Sequence, residues 1–239
     1  MPQNYFVTGM PKTGKTTIIR QVVKELRGRG LKVGGFLSPE KKQHGTRVGF
    51  EVEDIETGKT AMLASVKPPG PKVSKYYVKT RPFEGVALST MNNVDMYEVF
   101  VIDEIGRMEM KSSGFMDLLE KVFQSKTPVI ASVSDEFADN YKAYGEILML
   151  TPVNREAVYL DLVNRTTNSY VKKIPEKRTG FPAKKAKKPK KAKKKKKAKK
   201  KKKPKKKEKP EPPMEEEKPK KPEKDEKGFF GKLKDWLGI

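Results

Sequence analysis

The run Gly9-Met10-Pro11-Lys12-Thr13-Gly14-Lys15-Thr16 constrains this chain more than any other stretch. It fits the pattern G-x-x-x-x-G-K-[ST] at every fixed position. Such a loop acquires meaning only between a strand and a helix, and both flanks fit. Asn4 to Thr8 is short, apolar and β-prone, as a buried strand is. Thr17 to Arg29 carries Ile18, Ile19, Val22, Val23 and Leu26 on one side, as an amphipathic helix does.

The residue types explain the chemistry. Gly9 and Gly14 permit backbone conformations and close approaches that a side chain blocks. Successive N–H groups then turn inward as an anion-binding nest, and the following helix adds its positive end. Lys15 supplies a movable charge for the β- and γ-phosphates, and the Thr16 hydroxyl is placed to ligate Mg²⁺. The expected nucleotide-binding set is Gly9, Met10, Pro11, Lys12, Thr13, Gly14, Lys15, Thr16 and Thr17.

A second motif answers the first. Tyr97 to Asp103 reads as a buried strand ending in a carboxylate, the Walker B pattern. In a parallel sheet the carboxyl ends of strands share one edge, where ligands sit. Asp103 is therefore expected to hold Mg²⁺ together with Thr16. Glu104, next in the chain, is expected to polarise the attacking water as the catalytic carboxylate. Ile102, Asp103, Glu104, Ile105 and Gly106 complete the expected nucleotide-facing crevice. Arg107 has two readings, a catalytic charge on the phosphates or an ion pair with Glu109 or Glu104. Arg155 also has two, contact with base or ribose or a structural role at a helix start, and the structural one is preferred.

The remaining chain reads as one α/β domain with a sizeable core. A second strand spans Leu31 to Leu37. Residues 41–82 carry hairpin patterning around the Glu56-Thr57-Gly58-Lys59 turn, a proline-rich loop over Val66 to Pro71, and a short strand at Lys75 to Val78. These predict antiparallel strands on one edge of a parallel sheet. Helices are expected over Phe83 to Asn92, Gly114 to Gln124, Glu136 to Tyr144 and Asn154 to Tyr170. Further strands are expected over Pro128 to Val133 and Glu146 to Leu150. Strands alternating with helices predict a mostly parallel sheet covered on both faces.

With no cysteine, disulfides and thiolate metal sites are excluded. The single histidine, His44, lies in a polar turn and reads as solvated. The start of the chain lacks a charged-then-apolar leader, and no apolar run approaches the ~20 residues of a membrane span. Both point to a cytoplasmic protein.

Asp103-Glu104-Ile105-Gly106-Arg107-Met108-Glu109-Met110 resembles the D-E-I-G-[KR]-M-E-[LM] signature of the THEP1 nucleoside-triphosphatases, which include the cancer-related nucleoside-triphosphatases. Gly9 to Thr17 is similar to that family's G-x-P-G-x-G-K-T-T loop. Gly35-Phe36-Leu37-Ser38-Pro39-Glu40, Arg47-Val48-Gly49-Phe50, Phe83-Glu84 and Thr151-Pro152-Val153-Asn154-Arg155 fit its other short motifs. The resemblance covers about residues 3–170. It implies a RecA-like P-loop fold and slow, Mg²⁺-dependent hydrolysis of ATP, GTP and other nucleoside triphosphates to diphosphate and phosphate. Two departures stand out. Lys12-Thr13 replaces a pair that often begins with glycine. Ser132-Val133-Ser134-Asp135 stands where members often carry a His and Arg pair. A small-molecule or polynucleotide kinase on the same loop, and a nucleotide-gated adaptor, are the alternative functions.

The end of the chain is a different material. Lys184 to Lys207 holds 19 lysines in 24 residues. Residues 183–239 carry 27 Lys against 9 acids, +18 of the chain's net +24. The expected division is a P-loop domain at 1–172, a disordered Lys/Pro/Glu-rich tail at 173–227 and a short amphipathic helix at 228–239. The lysine tract suits nucleic acid through phosphate contacts without base readout. Phe229, Phe230, Leu233, Trp236 and Leu237 at helical spacing suit an acidic membrane or a partner groove instead.

Overall fold

Five parallel strands form one side of the sheet, and the buried, largely apolar runs of the inner four explain why. The computed structural model describes residues 4–171. In chain order, β1 (Asn4–Thr8) leads through the glycine loop into α1 (Lys15–Gly28) and β2 (Val33–Leu37). An antiparallel group follows: β3 (Glu40–Gln43), β4 (Thr46–Asp54), β5 (Thr60–Ser65), β6 (Lys72–Val73) and β7 (Tyr76–Val78). Then come α2 (Thr80–Met91), β8 (Val99–Ile105), α3 (Ser113–Phe123), β9 (Val129–Val133), β10 (Gly145–Met149) and α4 (Arg155–Val171). Short 3₁₀ turns cover Val94–Met96, Glu109–Lys111 and Asp135–Tyr141.

The sheet order is β10-β1-β9-β8-β2-β4-β5-β7-β6, with β3 paired to β4. β10, β1, β9, β8 and β2 pair in parallel; the rest join antiparallel beyond β2. The expected edge addition is therefore present. Side chains alternate between two core layers, as the strand period of two requires. Phe6, Phe36 and Phe100 face α2 and α3 with Phe83 and Phe115. Tyr5, Val7 and Val101 face α1 and α4 with Ile19, Leu26 and Leu162. Burial on both faces is what permits purely apolar strands here.

The structure departs from the sequence reading in several places, among them the short strand β6. β3 was not anticipated, because Glu-Lys-Lys-Gln has no apolar alternation. It forms because His44 and Gly45, with φ of 48° and 75°, make the tight turn that returns the chain along β4. The expected helix at Glu136 to Tyr144 is a 3₁₀ segment. Most relevant to function, β8 does not end at Asp103 but continues to Ile105, which pairs with Val133 across a register shift after Ile102. Such an irregularity re-aims side chains, and here it falls on Asp103 and Glu104. The lysine tract and the amphipathic end lie outside the described residues. Among the described residues, no helix is long and apolar enough to cross a membrane.

One buried polar residue locks the sheet at the end away from the loop. Asn4 is 1% exposed. Its Nδ2 donates to the carbonyls of Phe123 and Tyr144, each at 3.0 Å, and its Oδ1 accepts from the Val129 N–H at 3.1 Å. One amide thus ties β1 to the end of α3, to the approach of β10 and to β9. Asn4→Ala leaves three backbone groups unpaired out of water. The expected cost is about 3 kcal/mol in urea unfolding, since each orphaned buried group costs roughly 1–3 kcal/mol and some relaxation is available. A loss below ~1 kcal/mol would show that this lock is not structural.

Candidate active site

The site starts from backbone conformation. Gly9 has φ 145°, and a Cβ there would lie 2.4 Å from the Leu150 carbonyl oxygen, so only glycine fits. Gly14 has φ 96° and caps α1 without a side chain. The first turn of α1 holds no acidic residue. Its leading N–H groups and positive end therefore face the loop uncompensated, which suits an anion. Lys12 adopts φ 69°, a left-handed conformation that glycine takes at no steric cost. Met10, Pro11, Lys12 and Thr17 are exposed, while Thr13 is buried and bonds the Met10 carbonyl at 2.8 Å.

Lys15 and Thr16 open α1, and each reaches a different partner. Lys15 Nζ donates to the Gly9 carbonyl at 3.0 Å. Its ammonium spans the loop yet faces no carboxylate among the described residues. Thr16 Oγ1 donates to Asp103 Oδ1 at 3.2 Å. The phosphate loop and the Walker B strand thus meet as the sequence predicts, although β9 lies between their strands.

Residues of β9 and its end fill that gap. The Ser132 hydroxyl donates to Asp103 Oδ1, and the Ser134 hydroxyl donates to Glu104 Oε1 at 2.7 Å. Both serines lie in the stretch singled out as departing from the family pattern, but their roles were not foreseen. The signal was a polar residue inside a core strand, which needs a partner. Ser132 is fully buried, and Asp103 is that partner.

Three carboxyl groups gather here. Asp103 is fully buried, and its Oδ2 has no hydrogen-bond partner among the described residues. Burial raises its pKa to about 6, with the Ser132 and Thr16 hydroxyls opposing the rise and the Glu104 charge adding to it. Glu104 is half-buried. Glu109, named from sequence only as a partner for Arg107, is 5% exposed. Burial, then the charge of Glu104, pushes its pKa up to about 8. Gly106 makes room for the group: a Cβ there would sit 3.0 Å from Ser134 Oγ, 3.1 Å from Glu109 Oε2 and 3.6 Å from Glu104 Oε1.

Other expectations need correction. Ile102 and Ile105 turn their side chains into the core and do not line the crevice. Arg107 pairs with neither Glu104 nor Glu109. Its exposed guanidinium grips Glu136, with Nε 2.7 Å from Oε1 and Nη2 on Oε2. Glu136 opens the 3₁₀ segment after β9, a neighbour that chain order alone does not reveal. Arg155 lies against the phosphate loop, its Nε 3.5 Å from where a Gly14 Cβ would stand. His44 is exposed, as expected.

The state of Glu109 is testable through stability. An unfolded glutamate ionises near 4.5, whereas this one keeps its proton to about 8. Between those values the folded chain binds more protons at this position, so its contribution to stability falls as pH rises. Glu109→Gln has no proton to lose. Its melting temperature should gain on the wild type by about 5 °C between pH ~5 and ~8. The opposite trend in paired thermal melts would mean Glu109 is ionised when buried.

A sequence profile of the NTPase family matches residues 4–163. Nucleoside-triphosphatase THEP1 of Pyrococcus abyssi is 36% identical over 160 residues, which are 66% of this chain and 89% of that protein. The Methanocaldococcus jannaschii protein of the same name is 34% identical over 161 residues, covering 67% and 95% of the two chains. The crystal structure of THEP1 from Aquifex aeolicus superposes with a TM-score of 0.60 at 26% identity, over 68% of this chain and 98% of that one. The solution structure of a human cancer-related nucleoside triphosphatase gives a TM-score of 0.60 at 28% identity, over 70% and 98%. The chain belongs to the NTPase family, among proteins named nucleoside-triphosphatase THEP1.

Proposed function

We propose that this protein hydrolyses nucleoside triphosphates, ATP and GTP among them, to diphosphate and phosphate with low turnover. The observation that carries the reading is the junction of the phosphate loop with β8. Thr16 touches Asp103 there, and Glu104 follows at the crevice with a hydroxyl on one oxygen and its side chain half open. The names of the relatives support the same activity.

Each residue has a task. The loop amides and Lys15 bind the phosphates and hold their negative charge. Glu104 orients a water and accepts its proton as that water attacks the terminal phosphorus. The Ser134 hydroxyl fixes Glu104 and occupies one of its oxygens, leaving the other for the water. Thr16 and Asp103 fit Mg²⁺, because Asp103 offers a buried oxygen without a partner and Mg²⁺ prefers such hard oxygen donors. When bound, the ion supplies neutralising charge for the phosphate oxygens. Low turnover follows from what the site lacks. Ser132 and Ser134 bring no positive charge, and Arg107 is committed to Glu136.

Two substitutions test this. Lys15→Ala should abolish nucleotide binding in calorimetry. Glu104→Gln should bind normally and lose hydrolysis by roughly 10²–10⁴-fold, the usual worth of a general base. Wild-type phosphate release by Glu104→Gln would remove it from the base role.

The tail has a separate task in this proposal. Relatives match over 89–95% of their own lengths while covering 66–67% of this chain, so the lysine tract is extra to the enzyme they share. We infer that it tethers the enzyme to nucleic acid through phosphate charge, in the cytoplasm. Deleting residues 183–239 should leave phosphate release within about twofold and abolish salt-sensitive RNA retention. Loss of binding to acidic vesicles instead, with RNA retention kept, would assign residues 228–239 as a membrane anchor.

A further inference from the structure

The strand order gives the site a direction, and this inference rests on the nucleotide reading above. Asp103 and Glu104 lie on β8, on one side of β1 beyond β9; β10 is the neighbour of β1 on the other side. A triphosphate with its terminal phosphorus at Glu104 runs its nucleoside end the opposite way. That way leads to the turn between β10 and α4.

Arg155, the first residue of α4, stands at that turn. A Cβ built on Gly14 would lie 3.5 Å from its Nε, 3.6 Å from Cζ and 3.8 Å from Nη2. Near-equal separations from three coplanar atoms mean that the Cα–Cβ direction of Gly14 points at the flat face of the guanidinium, not at its edge. Arg155 is exposed and makes no hydrogen bond or ion pair with the described residues. By contrast the guanidinium groups of Arg107 and Arg165 are each held by carboxylates.

The base of Arg155 is fixed even though its head is not partnered. Asn154 Oδ1 accepts from the Thr151 N–H at 2.7 Å, and its Nδ2 donates to the Met149 carbonyl at 2.9 Å. The two loops also carry exposed apolar side chains: Met10 is 67% exposed and Val153 95%. Phosphate ligands do not call for such side chains, whereas a flat aromatic ring does.

We propose that Arg155 binds the nucleoside half of the substrate, stacking the free face of its guanidinium on the nucleobase. One face is turned to Gly14 of the phosphate loop and the other covers the base. The residue thereby links the two halves of the ligand. The polar atoms of Asn154 and the Thr13 hydroxyl are engaged within their own loops. Stacking, which any base offers, carries the contact.

The experiment uses the full chain and two ligands with Mg²⁺: a non-hydrolysable imido analogue of ATP, and inorganic tripolyphosphate, which has no nucleoside. Calorimetry in elevated salt screens the lysine tract, which is common to every variant compared. Arg155→Ala should weaken the analogue about tenfold and leave tripolyphosphate within about twofold. Arg155→Lys should not restore the analogue, because an ammonium offers no plane to stack. Equal losses for both ligands, or full rescue by lysine, would show a phosphate contact and overturn the proposal. Unchanged affinities would overturn it as well. If the wild type binds neither ligand, the nucleotide reading itself fails, an outcome the variants cannot produce.

Discussion

A carboxylate buried within a parallel sheet is the constraint around which this site is arranged. Asp103 is fully buried and keeps one oxygen without a partner. An isolated charge at such a place is costly, and the rise of its pKa to about 6 expresses that cost. The fold offsets it only in part, through two hydroxyls on the other oxygen. Because Thr16 is one of them, the loop and β8 are coupled through a charge that burial destabilises. A cation held at this point would offset that desolvation.

The strand between the two motifs decides how that coupling is made. β9 separates β1 from β8, so loop and carboxylates meet across another strand's end. In this chain that end presents Ser132 and Ser134. Hydroxyls can orient carboxylates but cannot neutralise them. Glu109 feels the same crowding: burial first, then the charge of Glu104, pushes its pKa up to about 8. Three acidic side chains are tolerated in one small volume because not all of them carry charge.

Much of this was legible in the sequence, for a physical reason. Phosphate binding demands glycine at fixed steps, so Gly9, Gly14, Lys15 and Thr16 declare themselves. A parallel strand buried on both faces must be apolar, so Val99 to Ile102 does too. What stayed hidden depends on contacts between elements far apart in the chain. Glu136 is 29 residues from Arg107, and nothing local marks it as the partner. Asn4 looked like one polar residue at a strand start, and only its three long-range hydrogen bonds reveal a lock. β3 has no apolar pattern because its neighbours, not its own residues, hold it. Arg155 read as a helix-start residue because the sequence could not show that α4 begins beside the phosphate loop.

The two ends of β1 show how the fold distributes its stability. At the Asn4 end every polar group of the side chain is paired, across contacts more than a hundred residues apart. At the loop end the opposite holds. Among the described residues Lys15 meets only a neutral carbonyl and Asp103 Oδ2 has no partner, and Lys12 sits in a left-handed conformation without being glycine. Local rules are broken where a ligand can repair them and obeyed where it cannot reach. An anion would satisfy Lys15 and the α1 N–H groups, and a cation would satisfy Asp103. Neither reaches Asn4. The same strand can therefore be rigid at its root and responsive at its tip. That arrangement lets binding tighten the loop without asking the sheet to move.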